Sequence, residues 1–263
     1  MNSFNLQPIW DATFAIYHEM DAICQKYGLR LFVSYGTVLG AIRHKGPIPW
    51  DDDFDVSMPR PDFMRFIELA PRELPHWLKL VSWQNSRSYL NFFPKIILSD
   101  KARVDDVCRR SGLPAPQGIF VDIFPIDGYP VGSFIGKAIR IAGVAMSRFL
   151  IKIAHDGKWN CVMNSMGSML DYDSSSFVVD WAGWVAEERR FAIRRKSDFM
   201  RPVDFGNGVY APYMYGCVRL PANFDKYLKW LYGDYMTLPP DEDRHPSHIV
   251  DGVSPAKWRL GPC

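Results

Sequence analysis

The sequence lacks any long apolar run. None of its uninterrupted apolar stretches reaches the roughly 18 residues that a transmembrane helix requires. Residues 1–10 also lack the basic region followed by an apolar region that marks a signal peptide. We therefore expect a cytoplasmic protein.

Cysteine is scarce and scattered. The five cysteines form no C-x-x-C pair and lie far apart in the chain, at Cys24, Cys108, Cys161, Cys217 and Cys263. A structural zinc site needs clustered thiolates or imidazoles, and a disulfide framework needs regularly spaced pairs. The pattern predicts reduced thiols without a structural role.

The sequence also has no excess of positive or negative charge. The chain has 31 basic and 29 acidic residues, a formal net charge of +2. This balance argues against nucleic acid as a partner. No P-loop, dinucleotide-binding glycine fingerprint or Ser-His-Asp arrangement is present either. The sequence therefore lacks the motifs of the enzyme classes that depend on these three sites.

Apolar periodicity predicts a mixture of helices and strands. Helices are predicted at 9–27, where Gly28 provides the stop, and at 37–43, 61–69 and 223–232. Strands are predicted at 29–34, 54–58, 79–82, 92–98 and 119–124, the last of them ended by Pro125. We expect an α+β fold in one domain, 1–263, with a core at about 9–130 and a helical elaboration at about 131–263. Residues 155–203 are part of this helical prediction.

One stretch, residues 133–154, contains four cations and no acid. The cations are Lys137, Arg140, Arg148 and Lys152. With 100° per residue they fall on one arc of a helix, although three apolar residues also lie there. We favour a helix packed on the core with solvated cations. The alternative is a peripheral contact with the inner face of an anionic membrane.

The most unusual feature is four carboxylates in five positions: Asp51, Asp52, Asp53 and Asp55. Strand geometry puts Asp53 and Asp55 on one face, about 6.5–7 Å apart at Cα. Apolar flanks on both sides demand burial, and like charges there repel unless a cation is bound. The pattern predicts a site for Mg²⁺ (or Mn²⁺), which prefers oxygen ligands.

Two further features belong with these acids. Gly36-Thr37 follows a predicted strand and opens a helix, where backbone N–H groups can bind phosphate. Asp122 is an acid inside an otherwise apolar strand, and burial of a lone charge is too costly without a partner. A Gly-Ser/Thr turn, two carboxylates on one strand and a third on a later strand resemble the nucleotidyltransferase superfamily.

Three blocks sharpen the resemblance to the LicD family, which includes bacterial phosphocholine transferases and is related to fukutin and fukutin-related protein. The blocks are YGTVLGAIRHKGPIPWDDDFDVSMPR at 35–60, VDIFPIDGYP at 121–130 and YLKWLYGDYMTLPP at 227–240. The resemblance implies a nucleotidyltransferase-like core with a small mixed sheet, decorated by additional helices. It also implies metal-dependent transfer of a phospho-alcohol, typically phosphocholine from CDP-choline, to a glycan hydroxyl, with release of CMP.

The resemblance and the residues themselves together suggest roles for particular side chains. The residues expected to bind metal and to act in catalysis are Asp53, Asp55 and Asp122. The residues expected to bind substrate phosphate are Gly36, Thr37, Arg43 and Lys95. Asp122 could also accept the proton of the acceptor hydroxyl. Arg43 could instead pair with a carboxylate, and Lys95 could be a structural lysine with a solvated tip.

Two other functions stay open. An ordinary nucleotidyltransferase would attach a nucleoside monophosphate and release pyrophosphate. A catalytically inactive protein would only bind a glycan or nucleotide. The acceptor is expected to be lipopolysaccharide, capsule or teichoic acid, free or lipid-linked. The donor's alcohol (choline, ribitol, glycerol or ethanolamine), the number of metal ions and the oligomeric state are not fixed by the sequence.

Overall fold

Helices and strands alternate through the first half of the chain in the computed structural model. It describes residues 6–86, 89, 93–99, 119–128, 171–180 and 200–246, together with six helical positions at 142, 145, 146, 149, 153 and 161. The described helices are α1 (Gln7–Tyr27), α2 (Tyr35–Arg43), α3 (Arg60–Glu73), α4 (Pro202–Phe205) and α5 (Phe224–Tyr232). The described strands are β1 (Phe32–Val33), β2 (Asp55–Pro59), β3 (Leu78–Val81), β4 (Lys95–Leu98), β5 (Phe120–Gly128), β6 (Val178–Asp180), β7 (Val209–Tyr213) and β8 (Gly216–Leu220).

The described strands form one mixed sheet and one hairpin. The sheet has the order β1-β2-β5-β4-β3, and β6 also pairs with β5. Strands β2 and β5 are parallel, whereas the other pairs are antiparallel. The predicted α+β class with a small mixed sheet is therefore confirmed, while the single-domain boundary stays a prediction.

Helix α1 covers one face of the sheet. Its buried side chains recur at helical spacing, as its sequence predicts, and include Phe14, Tyr17 and Met20. The ring of Tyr17 lies 5.4 Å from that of Phe54, centroid to centroid. Gly28 ends the helix with φ 66°, and its N–H contacts carbonyls of the last turn. The predicted stop at Gly28 is thus confirmed.

The prediction that Pro125 ends its strand is wrong, because β5 continues to Gly128. Pro125 pairs with Met58 of the parallel strand β2. The N–H of Asp122 points toward β2, so by alternation the nitrogen of Pro125 points to the other edge. On that edge β4 pairs only as far as Asp122 and β6 begins opposite Ile126. Proline is tolerated there because no ladder hydrogen bond is lost.

The region at about 131–263, predicted as a helical elaboration, also contains strands. Val178–Asp180 forms β6 on β5, within the region 155–203. Strands β7 and β8 form a hairpin whose Tyr213 ring stacks on Phe14 of α1, with 5.8 Å between centroids. The predicted helix at 223–232 is confirmed as α5, and Asn223 caps its amino end.

A buried ion pair joins the ends of β2 and β5. Arg60 directly follows β2 and donates from Nε to Oδ1 of Asp127 at 2.7 Å and from its Nη2 to Oδ2 at 2.8 Å. The two side chains are 5% and 0% exposed. Two parallel hydrogen bonds fix the geometry of a pair that would be costly to break in a buried position.

We expect Asp127→Ala to lower the free energy of unfolding by about 3–5 kcal/mol, because it leaves the Arg60 guanidinium buried without its carboxylate. Denaturant unfolding at equilibrium measures this loss as a lower midpoint. The control is Glu68→Ala in the exposed Arg65–Glu68 pair, which should change stability by no more than about 0.5 kcal/mol. Equal midpoints for the two variants would contradict the prediction.

Candidate active site

Three charged side chains stand in a row across three strands. Asp55 of β2 pairs with Asp122 of β5, and Asp122 pairs with Lys95 of β4. Laterally paired residues point to the same face of a sheet, and adjacent strands lie about 4.8 Å apart. The Lys95 ammonium contacts Oδ1 of Asp122 at 2.7 Å and lies 3.3 Å from the Phe120 ring centroid. The structure thus brings the predicted second and third carboxylates together, with a cation beside them.

The remaining acids lie in the loop between α2 and β2. Asp51 packs against Gly36, since a Cβ at position 36 would lie 2.5 Å from Oδ2 of Asp51. The indole N–H of Trp10 donates to the backbone carbonyl of Asp51 at 2.7 Å. Asp52 is 8% exposed. Glycine at position 36 therefore allows the acidic loop to approach the start of α2.

Burial and like charge raise the pKa values of two acids in this cluster. For Asp55, burial is the larger cause and the charges of Asp53, Asp122 and Asp51 follow, so its pKa lies well above the usual range. Burial, followed by the charge of Asp53, raises the pKa of Asp51 to about 8. Without a bound cation, the site therefore holds protons at neutral pH.

The start of α2 positions Asp55. The backbone N–H of Asp55 donates to Oγ1 of Thr37 at 3.0 Å, and the N–H of Ser34 donates to the carbonyl of Asp55 at 2.9 Å. The Tyr35 N–H donates to the hydroxyl of Tyr227 at 3.2 Å. Ser34 precedes the helix in extended conformation, and its buried Oγ has no hydrogen-bond partner among the described residues. A buried hydroxyl at the amino end of a helix suits an anionic ligand.

Arg43 lies at the other end of α2, about 9 Å along the helix axis from Thr37. Its Nη1 donates to the carbonyls of Tyr235 and Thr237 at 2.9 and 3.3 Å. The side chain thus connects α2 to the segment that follows α5. A phosphate contact of Arg43 stays a prediction.

Two tyrosines at the site were missed by the sequence analysis. Burial, followed by the charges of Asp51 and Asp53, raises the pKa of Tyr213. Burial, followed by Asp55, Asp51 and Asp53, raises the pKa of Tyr232, whose residue surface is nevertheless 44% exposed. Tyr232 lies in the third sequence block, at 227–240, so the family resemblance could have indicated it. Tyr213 is an ordinary strand residue in sequence, and only the hairpin brings it near the acids.

The side chains at the site offer oxygen ligands. Carboxylate oxygens suit Mg²⁺ or Mn²⁺ and do not favour softer metals. Over the stretches that the structure describes, no group of three or more His, Cys, Asp and Glu side chains is already arranged around one ion position. The Asp122 carboxylate instead contacts Lys95. The raised pKa of Asp55 fits a site in which a cation would offset repulsion between acids.

We expect the metal-free protein to lose stability as the pH rises from about 5 to about 8. Asp51 and Asp55 have raised pKa values in the folded state, so the folded chain holds protons that the unfolded chain releases above about pH 4. The unfolding free energy consequently falls through this window. Asp51→Asn and Asp55→Asn should flatten the dependence.

Melting temperatures measured in EDTA across this pH range test the prediction. Each 1 kcal/mol corresponds to about 2–4 °C for a protein of this size. Glu68→Gln, at an exposed position, should keep the wild-type profile. A wild-type melting temperature that rises with pH, or an Asp55→Asn profile identical to wild type, would contradict it.

Comparison with known proteins finds relatives that include this stretch of the chain. Residues 28–138 match the LicD/FKTN/FKRP nucleotidyltransferase domain. That range includes every predicted site residue, from Gly36 to Asp122. The lipopolysaccharide cholinephosphotransferase LicD of Haemophilus influenzae is 26% identical over 248 residues, which cover 88% of this chain and 91% of that protein.

Two shorter matches come from uncharacterised proteins of Rickettsia. The protein from Rickettsia typhi is 30% identical over 59 residues, 22% of this chain and 19% of that protein. The protein from Rickettsia prowazekii is 29% identical over 59 residues, 22% of each chain. With the domain match over the acidic site and the alignment along most of the Haemophilus protein, the resemblance to the LicD family predicted from the three blocks is confirmed.

Proposed function

We propose that this protein transfers phosphocholine from a CDP-linked donor to a hydroxyl of lipopolysaccharide, releases CMP, and uses Mg²⁺ or Mn²⁺. The transferase activity and its acceptor are inferred from the Haemophilus relative, which aligns over 91% of its length. The chemistry is inferred from the site. CDP-choline is the proposed donor because it is the usual source of phosphocholine in the family.

One observation supports the chemistry more than any other: Asp55 and Asp122 are paired side by side in a buried, like-charged cluster. An arrangement that raises carboxylate pKa values is unfavourable for a purely structural site. Perturbed acids of this kind are typical of functional sites. A bound diphosphate with its cation would offset the repulsion between the carboxylates of this cluster.

Asp53, Asp55 and Asp122 would hold the metal. When bound, the ion would neutralise charge that develops on the donor diphosphate during transfer. Thr37 would keep Asp55 in place through the backbone hydrogen bond of 3.0 Å. Ser34 Oγ, at the amino end of α2, would donate a hydrogen bond to a phosphate oxygen.

The Lys95 ammonium would stabilise the negative charge of the bound diphosphate, since it lies beside Asp122 on the same face of the sheet. Asp122 would accept the proton of the acceptor hydroxyl as that oxygen attacks phosphorus. No side chain needs to form a covalent bond, because positioning and electrostatics supply most of the acceleration in phosphoryl transfer.

The test is a donor panel of CDP-choline, CDP-ribitol, CDP-glycerol and CDP-ethanolamine with lipopolysaccharide as acceptor. CMP should appear with CDP-choline, and choline phosphate should be found on the glycan. EDTA should abolish the reaction, and Mg²⁺ or Mn²⁺ should restore it. Release of CMP with another donor would change the assigned alcohol. Release of pyrophosphate from CTP or ATP, with the nucleotide attached to the acceptor, would overturn the proposal in favour of an ordinary nucleotidyltransferase.

We expect Asp53→Asn, Asp55→Asn and Asp122→Asn each to lower kcat/KM by at least about 100-fold, because each removes a ligand of the proposed ion. The Asp53→Asn and Asp55→Asn variants should stay folded, since loss of a charge reduces repulsion within the cluster, whereas Asp122→Asn also weakens the ion pair with Lys95. Near-UV circular dichroism and the melting temperature monitor the fold. Glu68→Gln serves as the matched control outside the site.

Retained activity in any of the three carboxylate variants would remove that residue from the catalytic set. A sharp fall in the melting temperature of Asp53→Asn or Asp55→Asn would instead identify that acid as structural.

A further inference from the structure

The helical positions described between residues 142 and 153 form an apolar face on the protein surface. Ala142, Ala145, Met146, Phe149 and Ile153 follow the spacing i, i+3, i+4, i+7 and i+11, which places them on one side of a helix. All five are exposed, with 51% of Met146, 62% of Phe149 and 64% of Ile153 accessible. A helix packed on a core buries such a face. Here the apolar face points outward.

The surrounding sequence is strongly basic. Residues 133–154 contain Lys137, Arg140, Arg148 and Lys152 and no acid, whereas the whole chain carries a net charge of only +2. Helical periodicity assigns these cations to a different arc from the exposed apolar positions. An apolar face combined with a basic face and no acid is typical of a helix that lies in a membrane interface.

We propose that the apolar face formed by Ala142, Ala145, Met146, Phe149 and Ile153 docks on the surface of an anionic phospholipid bilayer. The face would enter the boundary between headgroups and acyl chains, and the four cations would meet lipid phosphates. Residues 142–153 measure about 18 Å as a helix, too short to cross a hydrocarbon core of about 30 Å. In the described part of the chain, no helix meets the length and hydropathy needed to span a bilayer.

Charge favours lipid over a second copy of the chain. In a symmetric dimer the same patch is used on both subunits, so a second copy would offer four more cations and no acid from this segment, and the cations would gain no partner of opposite charge. An anionic bilayer neutralises the same cations and also buries the apolar side chains. The exposed apolar face and the local positive charge therefore both favour an anionic bilayer as the binding partner.

The inference does not rest on the proposed transfer reaction. It agrees with that reaction, because the acceptor named for the Haemophilus relative is a lipid-anchored glycan. An enzyme that binds the bilayer would meet such an acceptor at the surface where it is embedded. Binding and transfer are nevertheless separate measurements.

Sedimentation with lipid vesicles tests the proposal. The full chain should pellet with vesicles of phosphatidylglycerol mixed with phosphatidylcholine, and much less with vesicles of phosphatidylcholine alone. Met146→Glu and Phe149→Glu should each weaken binding about tenfold or more, because a charge replaces an inserted apolar side chain. Arg140→Gln with Arg148→Gln should weaken binding similarly and reduce its dependence on salt.

Met64→Glu is the matched control. Met64 is 43% exposed on α3, outside the proposed face, so this variant should bind vesicles as wild type does. Far-UV circular dichroism and melting temperature should be unchanged in all variants, since the substituted positions described by the structure are exposed. Met146→Glu and Phe149→Glu should still transfer phosphocholine to a delipidated oligosaccharide acceptor if the proposed function is correct.

Three results would overturn the membrane proposal. They are absence of wild-type binding to anionic vesicles, equal weakening by Met64→Glu and Phe149→Glu, and a dimer in light scattering that Phe149→Glu dissociates. Vesicle binding without transfer to any acceptor would refute the proposed function, and the proposal of a membrane-binding face would still hold.

Discussion

The parallel pairing of β2 with β5 is the constraint on which the site depends. This register sets Asp55 beside Asp122, and two carboxylates on neighbouring strands repel unless a positive charge is close. Lys95 supplies one such charge from β4, at 2.7 Å from Asp122. Five residues beyond Asp122 on β5, Asp127 makes a bidentate pair with Arg60, directly after β2. The second pair holds together the same two strands that the first group of acids would push apart.

The local parts of this arrangement were predictable from sequence. Alternation in the block at 53–56 separates the acids from Phe54 and Val56, which are 1% and 0% exposed. Asp122 was identifiable because a lone acid in an apolar strand requires a partner. Pairing between remote strands was not predictable from such local patterns. Nothing near Lys95 in sequence indicates that it lies opposite Asp122.

The wrong predictions have the same physical origin. Pro125 usually ends a strand because it lacks an N–H, yet in β5 its nitrogen faces the gap between β4 and β6, where no donor is needed. The hairpin of β7 and β8 was missed because its residues are stabilised by contact with α1, as in the stacking of Tyr213 on Phe14. Local propensity is overridden where a tertiary neighbour packs on the segment or removes the need for a ladder hydrogen bond.

The chain keeps its two unusual charge groups apart. Asp122 lies near the beginning of β5, whereas the basic segment 133–154 comes in sequence after the other end of that strand, Gly128. Asp122 and Gly128 are about 20 Å apart along an extended strand. This separation matters because four cations placed among the acids would pair with them and compete with a divalent ion and a diphosphate. On the two proposals made above, the acids would be available for a cation and the basic segment for lipid phosphates.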